Sequence, residues 1–167
     1  MIVFDASTLI LLAKAELLGP FLEGVKLRVV IPEEVARECC GAKKTLDALM
    51  IQQFMDESAI TVIPVKNKKF VAKLQADFSL GQGEAEAIAI AVGQRASLIG
   101  IDDKNGINAC KLLGIPFTTA IGILLRSREK GLLDRSWALA ALASLARFGR
   151  YKESIIEDAR LKLEVHE

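Results

Sequence analysis

Asp5 in VFDAST, Glu38 in PEEVARE, Glu84 in GQGEAE and the Asp102–Asp103 pair in LIGIDD are the groups of this chain best suited to chemistry. Three of these sites stand where an apolar run stops and a helix-like stretch begins, and Glu38 lies one turn into such a stretch. Carboxylates gathered in one cleft repel, and one takes up a proton unless a cation balances them. Mg²⁺ or Mn²⁺ suits such a set, because hard cations take oxygen ligands and leave positions open for phosphate and water. Two such ions ~3.5–4 Å apart can activate water and stabilise the leaving oxygen in phosphodiester cleavage.

Other catalytic groups are scarce. His166 is the sole histidine, one residue from the end, which argues against His-based triads, His–His ribonuclease chemistry and HExxH metal sites. Cys39 and Cys40 are adjacent and Cys110 stands alone, so neither a zinc site nor a disulfide framework is expected, and a reducing, cytoplasmic setting fits. No GxxxxGK[ST] or GxGxxG loop follows a strand-like run. A haloacid-dehalogenase-like phosphatase needs a second Asp two residues after the first, where this chain has Ser7.

Each acid also has a structural role open to it. Asp5 could cap a helix starting at Ser7 or Thr8, and Glu38 could be a solvated charge among Glu33, Glu34 and Arg37. Glu84 and Glu86 could be first-turn partners of a helix dipole, and one of Asp102 and Asp103 could cap the next helix. The Ser7 hydroxyl could support Asp5 or a metal-bound water, or serve as an N-cap.

The elements that must position these acids follow from hydrophobic patterning. Strand-like runs at Ile2–Phe4, Leu27–Ile31, Ile60–Ile63, Ser97–Ile101 and Pro116–Thr118 alternate with helix-like stretches. That alternation predicts an α/β fold: a mainly parallel sheet of about five strands with helices on both faces. Predicted helices include Ser7 to Leu18, ended or kinked by Gly19–Pro20, and PEEVARECC with Pro32 at its first position. EAEAIAIAVGQR is apolar almost all round after its first turn, as a buried helix is. Asp103 can cap Lys104 to Leu113, with Gly114 just past its end. Further helices are expected at Thr45 to Glu57, Phe70 to Ala76 and Gly122 to Lys130.

From Ser136 onward the pattern is helical only, with a break at Phe148–Gly149–Arg150. The chain of 167 residues thus reads as one domain, with an α/β core over 1–131 and a C-terminal helical pair over 132–167. Apolar residues at 51% with aromatics at 5% predict an aliphatic core. No apolar stretch approaches the ~18 residues that span a bilayer, and MIVFDAST lacks the basic lead of a signal peptide.

The net charge of +1 means that a nucleic-acid partner would need local patches. Candidates are Lys43, Lys44 and the run Lys66–Asn67–Lys68–Lys69, with Arg126, Arg128 and Lys130 as a second group. Solvated faces are the alternative for both.

VFDASTLI, IPEEVARE, LGQGEAEAIAIA, and LIGIDD followed by LLGIPF and IGILL, in this order and spacing, resemble the PIN-domain family, in particular prokaryotic members related to VapC-type toxins. The resemblance runs from Ile2 to Lys130, and the C-terminal helices are similar to that branch too. It implies a doubly wound sheet and Mg²⁺- or Mn²⁺-dependent endoribonuclease activity on an RNA substrate. The matching acids are Asp5, Glu38, Glu84 and Asp103, with Asp102 beside the last, Ser7 as supporting hydroxyl and Glu86 as a substitute for Glu84. Lys43, Lys44, Lys104 and Arg126 are the candidate substrate contacts. A homodimer and an antitoxin partner are also implied, with no membrane association. Two segments depart from the pattern: KNGIN offers Lys104 where relatives carry an arginine, and Thr119–Ala120 stand where relatives show Gly and Thr. The alternative function is a catalytically silent module for protein or RNA binding, using Ala138–Leu145 and Ile155–Leu163 as its interface.

Overall fold

A computed structural model describes residues 1–42 and 44–165 of the chain. Its strands are β1 (Ile2–Phe4), β2 (Val29–Pro32), β3 (Ile60–Ile63), β4 (Leu98–Gly100) and β5 (Phe117–Thr118). They form one parallel sheet in the order β3-β2-β1-β4-β5. The helices are α1 (Ala6–Lys14), α2 (Leu18–Gly24), α3 (Glu33–Cys39), α4 (Leu46–Asp56), α5 (Lys68–Phe78), α6 (Gln82–Gly93), α7 (Lys104–Leu113), α8 (Ala120–Glu129), α9 (Arg135–Phe148) and α10 (Glu153–Val165). This is the parallel α/β sheet that the alternation of runs predicts, with the double winding that the family resemblance implies.

Strand residues alternate between two cores, as a period of two requires. Ile2, Phe4, Val29 and Ile31 point to one face, where they meet α1, α2, α3, α4, α8, α9 and α10. Val3, Val30, Ile99 and Ile101 point to the other, against α5, α6 and α7. Because both faces are covered, the inner strands β1, β2 and β4 carry no polar residue, and threonine appears only at the two edges, as Thr61 in β3 and Thr118 in β5. α6 contributes Ala85, Ala87, Ile88, Ala89, Ile90 and Ala91 to the interior, which is why its sequence lacks a polar face.

Several boundaries differ from the sequence expectation. The single helix expected from Ser7 to Leu18 is two: α1 ends at Lys14, Glu16 turns left-handed at φ 56°, and α2 begins at Leu18. Pro20 therefore sits in the first turn of α2, where its missing N–H breaks no helical bond. Pro32 ends β2 and caps α3 instead of opening it. α8 starts two residues before Gly122, because the Thr119 hydroxyl accepts the Gly122 N–H at 3.2 Å and caps the helix.

The C-terminal helices pack onto the first core. Ala138, Ala141, Leu142 and Leu145 of α9 are buried there with Ala159 and Leu163 of α10. The apolar segment Ala138–Leu145 is thus core, and its apolar face is not open to a partner. No helix among the described residues is long and apolar enough to cross a membrane.

Candidate functional site

The winding of the sheet reverses between β1 and β4, and at such a switch point the connecting segments part to leave a crevice beyond the strand ends. Sheet pairing continues one residue past each strand. The Asp5 N–H donates to Gly100 O at 3.1 Å, and the Ile101 N–H donates to Thr118 O at 2.9 Å. Asp5 and the Asp102–Asp103 pair are therefore delivered together to the crevice.

Asp5 is fully buried and caps α1, its Oδ1 accepting the Thr8 N–H at 2.8 Å. Its Oδ2 has no hydrogen-bond partner among the described residues, and neither does the buried Thr8 hydroxyl. Burial pushes the Asp5 carboxyl up to about 7; Thr8 opposes the shift, and the negative charges of Asp102 and Glu84 add to it.

Glu84 reaches back across the first turn of α6, where its Oε2 accepts the Gly81 N–H at 2.8 Å. Burial raises its pKa, the backbone bond opposes this, and the charge of Asp103 raises it further. Asp103 caps α7, its Oδ2 accepting the Gly106 N–H at 3.0 Å. Asp102 is engaged at both oxygens: Oδ2 accepts the Ala120 N–H at 2.9 Å, and Oδ1 accepts the Tyr151 hydroxyl. Burial raises its pKa against the pull of those two donors. The capping roles and the gathering of the acids thus coexist in the same residues.

Glu38 is less central. It is exposed on α3, and its carboxylate lies against Gly83, where a Cβ would stand 2.5 Å from Oε1 and 3.1 Å from Oε2. α3 packs on α6, and the residue that Glu38 meets there, Gly83, immediately precedes Glu84. Glu86, roughly 200° round α6 from Glu84, is buried and accepts the Gln82 side-chain amide at 3.0 Å. It does not line the acid cleft.

A cleft of about 560 Å³ is lined by Ser7, Glu84, Asp102 and Asp103, while the fully buried Asp5 is not part of its lining. Ile10, Leu11, Lys14, Lys104, Phe148, Gly149 and Arg150 make up the rest of its wall. Of the basic residues singled out from sequence, Lys104 is there. Lys44 is exposed between α3 and α4, away from the cleft lining. Arg126 lines a separate hollow with Phe21 and Leu98 and pairs with Glu129 at 2.9 Å. The first turn of α8 meets the crevice, and Arg126 lies more than a turn further along. Lys43 and His166 fall outside the described residues.

Sequence reasoning missed Lys14, Phe148, Arg150 and Tyr151 as neighbours of the acids. Lys14 carried a usable signal, since Ser7, Ile10, Leu11 and Lys14 recur at helical spacing and share the cleft-facing side of α1.

The donor chemistry fits a hard cation, being carboxylate oxygen alone, and the buried Asp5 Oδ2 is one donor atom to spare. Among the described residues no three His, Cys, Asp or Glu side chains converge to hold a metal ion; the carboxylates are turned to backbone and hydroxyl donors instead. Cysteine chemistry is disfavoured. Cys39, Cys40 and Cys110 are buried and form no disulfide among the described residues, and burial, with the charge of Asp5, pushes the Cys110 thiol up to about 11.

A search of curated proteins finds no significant match. Comparison with protein-family models matches the PIN domain over residues 1–164, which takes in the sheet, the acid cleft and the C-terminal helices alike. PIN domains are generally nucleases that use divalent metal ions. This chain belongs to the PIN-domain family.

Proposed function

We propose that the chain is a Mg²⁺- or Mn²⁺-dependent endoribonuclease acting at the crevice between β1 and β4. The observation that carries this reading is the meeting of Asp5, Glu84 and the Asp102–Asp103 pair there, with a buried carboxylate oxygen on Asp5 that no described group satisfies. Asp5, Glu84 and Asp103 would hold the cation, with Asp102 beside them and Glu38 orienting water from the rim. The bound cation would neutralise the cluster and polarise the phosphodiester. Asp102 anchors the end of β4 through its two donors, so Asp103 keeps a fixed direction. Ser7 offers a hydroxyl at the cleft wall, and Lys104 offers a positive charge to the phosphate being cut.

The test is cleavage of RNA by the purified chain with Mn²⁺ and with EDTA, beside Asp5→Asn. Mn²⁺-dependent cleavage that disappears in the variant is expected; retained Mn²⁺-dependent cleavage by Asp5→Asn rules the assignment out.

A second reading, a silent PIN-like module, draws on the hydrogen bonds that already occupy the four acids. Calorimetric titration with Mn²⁺ separates the two, since such a module need not bind metal at the cleft. We also read the chain as a single cytoplasmic domain that forms a homodimer and serves as the toxin of a toxin–antitoxin pair. Growth arrest on expression, relieved by a neighbouring gene, tests the toxin role.

A further inference from the structure

We propose that Phe148, Lys14 and Arg150 form a nucleotide subsite beside the acid cluster, where one unpaired base of a single-stranded nucleic acid stacks on Phe148 while its flanking phosphates pair with Lys14 and Arg150. The proposal rests on the nuclease reading and names how that site would take hold of its substrate.

Phe148 ends α9 and lines the acid cleft. Of the seven phenylalanines it alone is exposed, at 45%. An exposed ring costs hydrophobic free energy unless something covers it. What stands over it is cationic: the Lys14 ammonium lies 5.0 Å from the ring centroid and the Arg147 guanidinium 5.1 Å. Cation–π attraction holds these groups by the ring.

Lys14 and Arg150 share the cleft with Glu84, Asp102 and Asp103, yet neither makes an ion pair among the described residues. Cations kept apart from neighbouring carboxylates remain available to an anion brought from outside. An aromatic ring with cations beside it is the arrangement that single-stranded nucleic acid uses, its base stacking on the face that Lys14 vacates as it turns to a phosphate. Stacking needs an unpaired base and is tolerant of base identity, so the subsite selects strandedness rather than sequence.

The hinge that carries these residues is fixed in place. A Cβ on Gly149 would stand 2.5 Å from the Tyr151 ring and 2.7 Å from Leu145 O, so only glycine lets the chain fold this tightly here. Tyr151 then bonds Asp102, which ties Phe148 and Arg150 to the acid cluster before any ligand arrives. Pre-organisation of this kind lowers the cost of binding.

The experiment is fluorescence anisotropy with the full chain and a short labelled single-stranded RNA, its DNA counterpart and the matching duplex, in EDTA so that no strand is cut. Phe148→Leu should weaken single-strand binding roughly tenfold, and Phe148→Trp should restore it. Lys14→Ala and Arg150→Ala should each flatten the salt dependence by about 0.7 in log–log slope. Thermal unfolding of Phe148→Leu is followed alongside, and the Phe148→Trp rescue separates stacking from folding. Loss with either strand type supports the subsite, and the tighter of the two identifies its source. Wild-type affinity in Phe148→Leu, equal binding of duplex, or no binding by the wild type overturns it; a Phe148 that serves a protein partner gives the first of these results. Lack of Mn²⁺-dependent cleavage by the wild type would instead sink the nuclease reading and leave the subsite standing on its binding data.

Discussion

The Tyr151 hydroxyl donates its hydrogen bond to Oδ1 of Asp102, a residue 49 positions earlier at the end of β4. With the Ala120 N–H on Oδ2, this contact engages both oxygens of Asp102 and joins three parts of the chain: the sheet, the start of α8 and the α9–α10 hinge. Asp103, its neighbour, caps α7 through one oxygen and raises the pKa of Glu84 by its charge. Both adjacent aspartates thus brace the fold through backbone donors and bear on the other acids, Asp102 on Asp5 and Asp103 on Glu84.

Tyr151→Phe removes the donor and leaves a largely buried carboxylate oxygen unpaired. A hydrogen bond to a charged group contributes about 1.5–3 kcal/mol, and each kcal/mol corresponds to roughly 2–4 °C in a chain of this size. The expected result is a drop of several degrees in Tm with an unchanged urea m value. The deficit should shrink in acid, where Asp102 becomes protonated and no longer needs the donor as strongly. A variant as stable as wild type at neutral pH would show that the contact carries no weight.

Asp5 predicts a pH dependence of the opposite kind. Its folded pKa, about 7, lies above the ordinary aspartate value of 3.8, so the folded chain holds this proton more tightly than the unfolded one. Stability is therefore highest below pH ~4 as far as this group is concerned, and it falls as pH rises through the window up to about 7. Above that the loss is complete, on the order of 4 kcal/mol from the size of the shift. Asp5→Asn keeps an oxygen for the Thr8 N–H and carries no charge. In EDTA it should be more stable than wild type at pH 8, with the advantage vanishing toward pH 4. Denaturant unfolding across that range is the measurement, and a variant less stable at pH 8 contradicts the burial argument.

The parallel fold was legible because its signals are local and repeated. Short apolar runs, each followed by a helix start, marked the strands, while their order in the sheet came only with the structure, and Gly114 ended α7 in the left-handed conformation as glycine at that position suggests. The placement of Asp5 and Asp103 followed from the same signals. The split of α1 from α2 was hidden because Glu16 adopts a left-handed conformation with no glycine to mark it. Tyr151 and Arg150 were hidden for a different reason: they meet the acids through a long-range fold-back of the C-terminal hinge, which no spacing encodes. Arg126 misled because a cluster of basic residues says nothing of which end of its helix faces the cleft.

Divalent cations should reverse the Asp5 penalty. A ligand that binds only the folded state stabilises it by about 2.7 kcal/mol at a hundredfold excess over its dissociation constant. Mn²⁺ should therefore raise Tm at pH 8. The gain should fade as pH falls through about 7, since the proton that Asp5 takes up competes with the cation. Asp5→Asn should show no such gain. An equal Mn²⁺ response in the variant would move the cation away from Asp5.

Gly83→Ala isolates the role of Glu38 without touching an acid. Gly83 lies in the first turn of α6, where alanine is the better helix former by up to about 1 kcal/mol. The new Cβ would stand 2.5 Å from Glu38 Oε1, so that carboxylate must swing away. Glu38 is exposed and its side chain long, so the displacement costs little stability. The expected outcome is a Tm equal to or above wild type with Mn²⁺-dependent cleavage reduced at least about tenfold, one factor for each ~1.4 kcal/mol of transition-state stabilisation lost. Glu38→Gln, which leaves the side chain in place and removes its charge, should lose a similar factor. Full activity in both variants would reduce Glu38 to a surface charge at the foot of α6, and loss in Gly83→Ala alone would make the position of residue 38, rather than its charge, what the site requires.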